Sequence, residues 1–204
     1  MPSLHRPLRA IACAAAIVGL AAGCETIDRA NEERGRVGIV EELLGTPTAV
    51  ASAPMVPVEG GAPLGTVTFS QHGDIVVVRA RLLGLPRDRV LGLHVHEGRS
   101  CAGGAASIGG HFNPGNAPHG RPGVPPHHAG DLPNLRSDNE GFAGLAHNTR
   151  ALSITIAAIS VVGRTVVISS RGDDFRTQPD GNSGEPLACG FIRIEGGAFS
   201  VPGG

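Results

Sequence analysis

The sequence predicts an all-β protein, an antiparallel sandwich or barrel built from short strands. The chain has 31 glycines and 16 prolines among 204 residues, a content that excludes a mostly helical body. Hydrophobic residues make up 41% and charged residues only 17%, which excludes a disordered chain. From residue 47 onward, short β-branched runs are cut by Gly and Pro, the pattern of strands joined by turns.

The first 23 residues predict a signal peptide. Arg6 and Arg9 precede the uncharged, Ala-rich stretch 10–23, which is shorter than the roughly 20 residues that a membrane span needs. The stretch ends at Cys24 in LAAGC, which resembles the lipobox of bacterial lipoproteins, where the cysteine becomes the lipidated first residue. An ordinary secretory signal with an incidental cysteine is the alternative. Both interpretations predict an exported protein of the cell envelope.

The rest of the chain divides by composition. Residues 24–46 are dense in charge and predict a lipid-anchored tether, residues 47–196 predict the globular domain, and 197–204 form a C-terminal tail. The chain has 17 basic and 18 acidic residues, so no electrostatic footprint for nucleic acid is present. A membrane, contacted through the lipid, is the expected partner.

Six segments of the domain have the composition of strands, and turn residues separate them. The predicted strands are 64–70, 75–83, 91–97, 142–146, 165–169 and 187–194. The link between Gln71 and Asp74 is of hairpin size, and Gly84 to Pro86 breaks the pattern. The long segment 98–139 is rich in Gly, Pro and His and has no periodicity. A loop of this length requires something other than a core to order it.

Histidines indicate that metal ions order this loop. His94 and His96 alternate with apolar residues, so a strand directs both imidazoles to one face. Downstream, three imidazoles and a carboxylate form a complete tetrahedral set for Zn2+: His111, His119, His128 and Asp131. The pair His94 and His96 is the kind of nitrogen-donor site that copper accepts. A low-specificity metal-scavenging tract is the alternative, but it would not need the strand-borne pair. His5, His72 and His147 are predicted to be solvated, and His127 to be a solvated neighbour of a ligand.

The cysteines predict one disulfide. Cys13 leaves with the signal peptide and Cys24 is the predicted lipid site, which leaves Cys101 and Cys189. In an oxidising compartment two thiols most simply pair. Two buried free thiols are the alternative.

Several motifs of the domain resemble those of bacterial-type copper/zinc superoxide dismutases, in the family's order and spacing over about residues 47–195. The motifs are GLHVHE, Cys101, GGHFNP, His119, HAGDL, VGRTVV, GDD and LACGFIRI. The resemblance implies an eight-stranded Greek-key β-barrel with a long metal-binding loop and a long electrostatic loop. It implies superoxide as the substrate, and it is compatible with a homodimer.

The resemblance also implies roles for single residues. It makes His94 and His96 copper ligands and His111 the bridging, catalytic imidazole that contacts both metals. It makes His119, His128 and Asp131 the remaining zinc ligands. Asp173 matches the carboxylate that links a copper ligand to a zinc ligand, and Cys101 and Cys189 match the family disulfide.

Two positions depart from the family pattern. Ser169 stands where the family has a further copper histidine, and Pro186, after Glu185, stands where it has the arginine that guides superoxide. Arg171 and Arg176 are the candidates to replace that charge. Two functions are therefore predicted side by side. One is an exported dismutase, and the other is a zinc-binding structural or metal-handling lipoprotein without efficient dismutation.

Overall fold

The computed structural model describes residues 44–103 and 105–196. The predicted signal peptide, His5, Cys24, most of the tether and the tail 197–204 lie outside these ranges. By its internal contacts the chain divides after Gly45, and the second unit, Thr46–Gly204, holds the strands described below. In the described part of the chain, no helix is long and apolar enough to cross a membrane.

The described residues form ten strands, one turn of α-helix and one 3-10 turn. The strands are β1 (Ala49–Pro57), β2 (Gly65–His72), β3 (Ile75–Leu82), β4 (Val90–Leu91), β5 (Leu93–His96), β6 (Leu135–Arg136), β7 (Ala143–Thr149), β8 (Thr165–Ser169), β9 (Pro186–Phe191) and β10 (Arg193–Ile194). The helical turn α1 is Ala105–Ile108, and the 3-10 turn is Ala157–Ile159.

Eight strands form one curled antiparallel sheet in the order β5-β8-β9-β1-β2-β3-β7, with β10 also paired to β1. The first and last strands in this order are β5 and β7. The strands that precede them in the chain, β4 and β6, pair with each other in a short ladder. β2 and β3 form a tight hairpin in which His72 pairs with Ile75. The predicted all-β Greek-key barrel is confirmed.

Alternating side chains of the strands fill the barrel. In β1 the small residues Ala51 and Ala53 are fully buried, and in β2 Phe69 occupies the same core. Leu93 and Val95 of β5 pack inward as the sequence predicts. Because the core takes these two residues of β5, the histidines that alternate with them, His94 and His96, are presented on its other side.

Three of the differences between the predicted strands and the structure have a clear cause. β1 was not predicted, because its sequence AVASAPMVP has two prolines, which are rare within central strands. The segment 91–97 is split at Gly92, whose N–H donates to the Arg171 carbonyl instead of continuing one ladder. The segment 187–194 is split at Ile192, whose N–H donates to the Arg164 carbonyl.

Cys101 and Cys189 form a disulfide, with Cα atoms 5.7 Å apart, which confirms the predicted pairing. The bond ties the start of the long loop to β9 and closes a loop with a sequence separation of 88 residues. The prediction for His72 is wrong. This residue is 7% exposed, because it lies within the paired end of the β2-β3 hairpin rather than in solvent. His147, on β7, is half-buried.

Candidate metal centre

The two histidines of β5 are each fixed through one ring nitrogen. His94 Nε2 lies 2.8 Å from Asp173 Oδ2, and His96 Nδ1 lies 2.8 Å from the Gly109 carbonyl, to which it donates. The remaining nitrogens, His94 Nδ1 and His96 Nε2, are buried and have no hydrogen-bond partner. A buried polar atom without a partner costs about 1–3 kcal/mol, and a metal ion would supply the missing partner. This donor pair therefore fits the copper site that the sequence predicts.

Burial keeps both of these rings uncharged. It lowers the pKa of His94 to about 4 and that of His96 to about 3. At neutral pH each free nitrogen therefore carries a lone pair rather than a proton. Metal binding requires neutral imidazole, so the site is in its binding form without the release of a proton from these rings.

A second group converges on the carboxylate of Asp131. The donor atoms of this group lie within 4.8 Å of one another and belong to His111, His119, His128 and Asp131. Asp131 Oδ1 lies 2.9 Å from His111 Nδ1, 3.0 Å from His119 Nδ1 and 3.4 Å from His128 Nδ1. All four residues are buried. Three Nδ1 atoms facing one carboxylate oxygen are the closed donor set that zinc prefers.

Backbone contacts hold this second group against β5. Antiparallel bridges join His94 to Asp131 and His96 to His111. Asp131 Oδ2 accepts hydrogen bonds from the backbone N–H groups of Gly120 and His128, which fixes the carboxylate plane. At Gly130 an added Cβ would lie 2.2 Å from the Val95 carbonyl, so only glycine permits the close approach of the loop to the strand.

Within this group, Asp131 and its histidine partners shift one another's pKa values. Burial opposes ionisation of Asp131, but hydrogen bonds from His111 and His119 hold the pKa of its carboxyl well below the usual range. Burial also opposes protonation of His119, but its hydrogen bonds to Asp131 and Asp173 raise its pKa to about 9. A carboxylate that attracts protons onto its ring partners in this way attracts a divalent cation by the same electrostatics.

His111 belongs to both groups. It lies with His94 and His96 in a second cluster of buried potential ligands. Its ring is stacked on that of His94, with centroids 3.9 Å apart and planes at 23°. Because Nδ1 faces Asp131, the other ring nitrogen is the one left for the cluster with His94 and His96. This is the placement that the bridging role requires.

Asp173 joins the two groups from a separate loop. Its Oδ2 lies 2.8 Å from His94 Nε2, and its Oδ1 lies 2.9 Å from His119 Nε2. Five residues therefore form a closed ring of contacts, in which the stack of His111 on His94 is the closing contact. We call this ring the imidazole–carboxylate cycle, and its members in order are His94, Asp173, His119, Asp131 and His111. Burial opposes ionisation of Asp173, but its hydrogen bonds with His119 and His94 lower its pKa.

Three residues that support Asp173 or His119 were not predicted. The Asn134 side chain exchanges two hydrogen bonds with the backbone of Asp173, and the Gln178 side chain does the same with the backbone of His119. Gly181 lies against Asp173, where an added Cβ would fall 1.8 Å from its Oδ1. These contacts join residues far apart in the chain, and no local motif marks them.

A cleft of about 430 Å3 opens beside His96 and His111. Ser169 and Pro186, which are direct partners across β8 and β9, both line it. Asp180 and Glu185 line it as well, and in the described part of the chain none of its lining residues is an arginine. The two positions predicted to depart from the family pattern thus lie at one place, next to the predicted copper ligands.

Neither candidate for a replacement positive charge lines this cleft. Arg171 is exposed, and its Nη2 donates to Asn182 Oδ1 at 2.8 Å. Arg176 is also exposed. His127 takes part in neither group, and its Nδ1 donates to the His128 carbonyl.

The fold and these two adjoining donor sets define a class: a Greek-key β-barrel protein with two clusters of potential metal ligands that share one histidine. Residues 64–192 match the family model described as copper/zinc superoxide dismutase (SODC). The match covers more than half of the chain, and the chain belongs to the copper/zinc superoxide dismutase family.

Known proteins of this family are similar over most of their length. The chain is 34% identical over 139 residues to extracellular superoxide dismutase [Cu-Zn] of Drosophila melanogaster, covering 64% of this chain and 76% of that protein. It is 37% identical over 139 residues to the extracellular enzyme of Schistosoma mansoni, covering 63% and 73%. Among solved structures, a double mutant of a SOD-like protein from Bacillus subtilis aligns with a TM-score of 0.63 and 33% identity, covering 68% of this chain and 94% of that one.

Proposed function

We propose that this protein is an exported, two-metal member of its family that dismutates superoxide slowly. Zinc binds at His111, His119, His128 and Asp131, and copper binds at His94, His96 and His111. The observation that carries the proposal is the pair of buried, partnerless nitrogens on His94 and His96 beside a complete zinc set. Ser169 and Pro186 limit the rate, because one supplies no imidazole and the other supplies no positive charge.

Copper held at these residues supplies the one-electron redox couple through which two superoxide ions and two protons give O2 and H2O2. The chain contributes positioning and a proton. Asp131 fixes Nδ1 of His111, so the opposite nitrogen of that ring is directed to the copper side, and we assign proton transfer to it. Asp173 fixes the ring of His94 through Nε2 and leaves Nδ1 to the metal.

Export and anchoring belong to the same proposal. The disulfide and the extracellular relatives support an exported protein. We assign residues 1–23 to a signal peptide, Cys24 to lipidation, 24–46 to a tether, 47–196 to the catalytic domain and 197–204 to a tail. The lipid holds the domain at a membrane of the cell envelope.

A second function is favoured by one observation, the acidic lining of the cleft. Superoxide is an anion, and Asp180 and Glu185 oppose its approach to His96 and His111. In this alternative the protein binds zinc and handles metal without dismutation.

The test measures metal content and dismutation on the exported, purified protein after loading with zinc and then copper. We expect one tightly held zinc, one more weakly held copper and a rate far below the diffusional limit. The variant combining Ser169→His with Pro186→Arg should be faster. A wild-type rate that this variant does not exceed contradicts the proposal, and copper binding without any dismutation selects the metal-handling alternative.

A further inference from the structure

The cleft beside Ser169 has an unusual charge distribution for a path to His96 and His111. Its lining combines buried histidines, among them His96 and His111, with the exposed acidic residues Asp180 and Glu185. In the described part of the chain neither carboxylate has a basic side chain as a partner. Asp180 Oδ1 accepts only from the backbone N–H of Asn182, so its charge stays available to the cleft.

One of the histidines that line the cleft has a ring nitrogen without a partner. His96 is 9% exposed, and its Nε2 is buried without a hydrogen-bond partner. The other ring nitrogen is already bonded to the Gly109 carbonyl, so the ring cannot turn to satisfy both atoms at once. A neutral imidazole nitrogen offers a lone pair, and a lone pair binds a cation and not an anion.

We propose that this cleft is an access path for metal cations: Asp180 and Glu185 attract a copper ion toward His96 and His111 and repel small anions from the same place. This inference rests on the proposed copper site and adds the ion selectivity of the path to it. A cleft lined by one sign of charge concentrates ions of the opposite sign and changes association rates by about 10- to 1,000-fold.

The proposal predicts opposite effects on cation binding and on anion binding, and both can be measured. Removal of the two carboxylates should slow the binding of a cation and strengthen the binding of an anion. A general loss of stability would weaken both, so the opposite responses separate steering from damage. Each response should also fade as salt screens the charges.

The first arm follows copper association by stopped flow. Zinc-loaded, copper-free protein is mixed with Cu(II), and absorbance of the copper–imidazole complex is recorded at salt concentrations from about 10 mM to about 150 mM, where the Debye length shortens from about 30 Å to about 8 Å. The variant Asp180→Asn/Glu185→Gln should bind copper about tenfold more slowly at low salt and lose most of the salt dependence. The matched control, Glu59→Gln/Glu140→Gln, removes two exposed carboxylates outside the cleft and should behave as wild type.

The second arm titrates azide, a small anion, against the copper-loaded proteins. The cleft variant should bind azide more tightly than wild type, and the control should not. If the rate of copper association and the azide affinity were equal in wild type and in the cleft variant, the inference would be overturned and the proposed copper site would stand. A protein that retains no copper at equilibrium would overturn the proposed function itself, and the inference with it.

Discussion

Ser169 and Pro186 face each other across two neighbouring strands, so the two predicted departures from the family pattern form one local change. Ser169 is 4% exposed at the end of β8, where the register between β8 and β9 shifts. Pro186 begins β9, a position in a strand that proline tolerates. The change therefore alters the cleft without interrupting the barrel.

At this position we predict that Ser169→His restores a fourth imidazole to the copper site. The cleft of about 430 Å3 beside Ser169 gives the ring space. Copper affinity should rise at least about tenfold, equivalent to about 1.4 kcal/mol, and the Cu(II) electron paramagnetic resonance spectrum should shift to a four-nitrogen environment. Ser169→Ala, which adds no donor, should leave both unchanged. A spectrum that does not change in Ser169→His would show that residue 169 does not face the metal.

A second prediction at the residue scale concerns Gly181. An added Cβ there would overlap Asp173 Oδ1 and lie 2.7 Å from His119 Nε2, so Gly181→Ala should displace the carboxylate. Zinc affinity should fall about 10- to 100-fold, the usual effect of losing a contact that orients a metal ligand. Gly163→Ala is the matched control, because Gly163 also has a positive φ, +79°, but nothing within 4 Å of the added Cβ.

Both glycine variants should lose about 1–2 kcal/mol of folding stability from backbone strain. Only Gly181→Ala should lose zinc, as measured by competition with a chromogenic chelator. Equal zinc affinity in the two variants would contradict the role given to Asp173.

The residues of the site differ in how far the sequence alone reveals them. His94, His96 and the residues from His111 to Asp131 are visible because metal-binding side chains recur there at short spacing. Asn134 and Gln178 are not visible, since each uses an ordinary amide to bind backbone 39 or 59 residues away. Such contacts depend on the folded path of the chain and leave no local pattern.

Among the elements, the strands were predicted best where one face is apolar and turn residues mark both ends. The segment 165–169 coincides with β8. β1 escaped prediction, yet it is central, because β2 lies on one side of it and β9 and β10 lie on the other. Two of its three buried residues, Ala51 and Ala53, are small, and its prolines lower its strand propensity. Its conformation therefore depends on its partners rather than on its own sequence.

We predict that the long segment 98–139 depends on metal for its order. It has α1 and the two residues of β6 as its only regular elements in the described part of the chain, and its side chains meet at Asp131. We predict that chelation of zinc increases amide hydrogen exchange across 98–139 but not across β2 and β3. The melting temperature should fall by at least about 10 °C, since a structural zinc contributes directly to folding.

Zinc added back should restore both protection and melting temperature. Asp131→Ala provides the matched comparison, because a protein without the central carboxylate should already resemble the chelated wild type. Unchanged exchange in 98–139 after verified removal of zinc would contradict the prediction.

For the whole molecule, the sequence predicts attachment to a membrane through Cys24, ahead of a domain that begins near Thr46. We predict that the exported protein partitions into the detergent phase of a Triton X-114 extraction. Cys24→Ser should move it to the aqueous phase with its metal content unchanged, because the substitution lies outside the barrel. Equal partitioning of the two proteins into the aqueous phase would refute lipidation and leave a plain secretory signal.

The imidazole–carboxylate cycle has a consequence for which substitutions this protein tolerates. Its five members hold one another, and Ser169 and Pro186 are not among them. On the proposed assignment, the absence of a copper ligand at residue 169 therefore leaves the cycle, the zinc set and the barrel in place. On the proposed assignment, mutational robustness is divided unequally between the two metals: we expect the zinc side to be coupled to folding and the copper side to tolerate a change of ion preference in a protein that still folds.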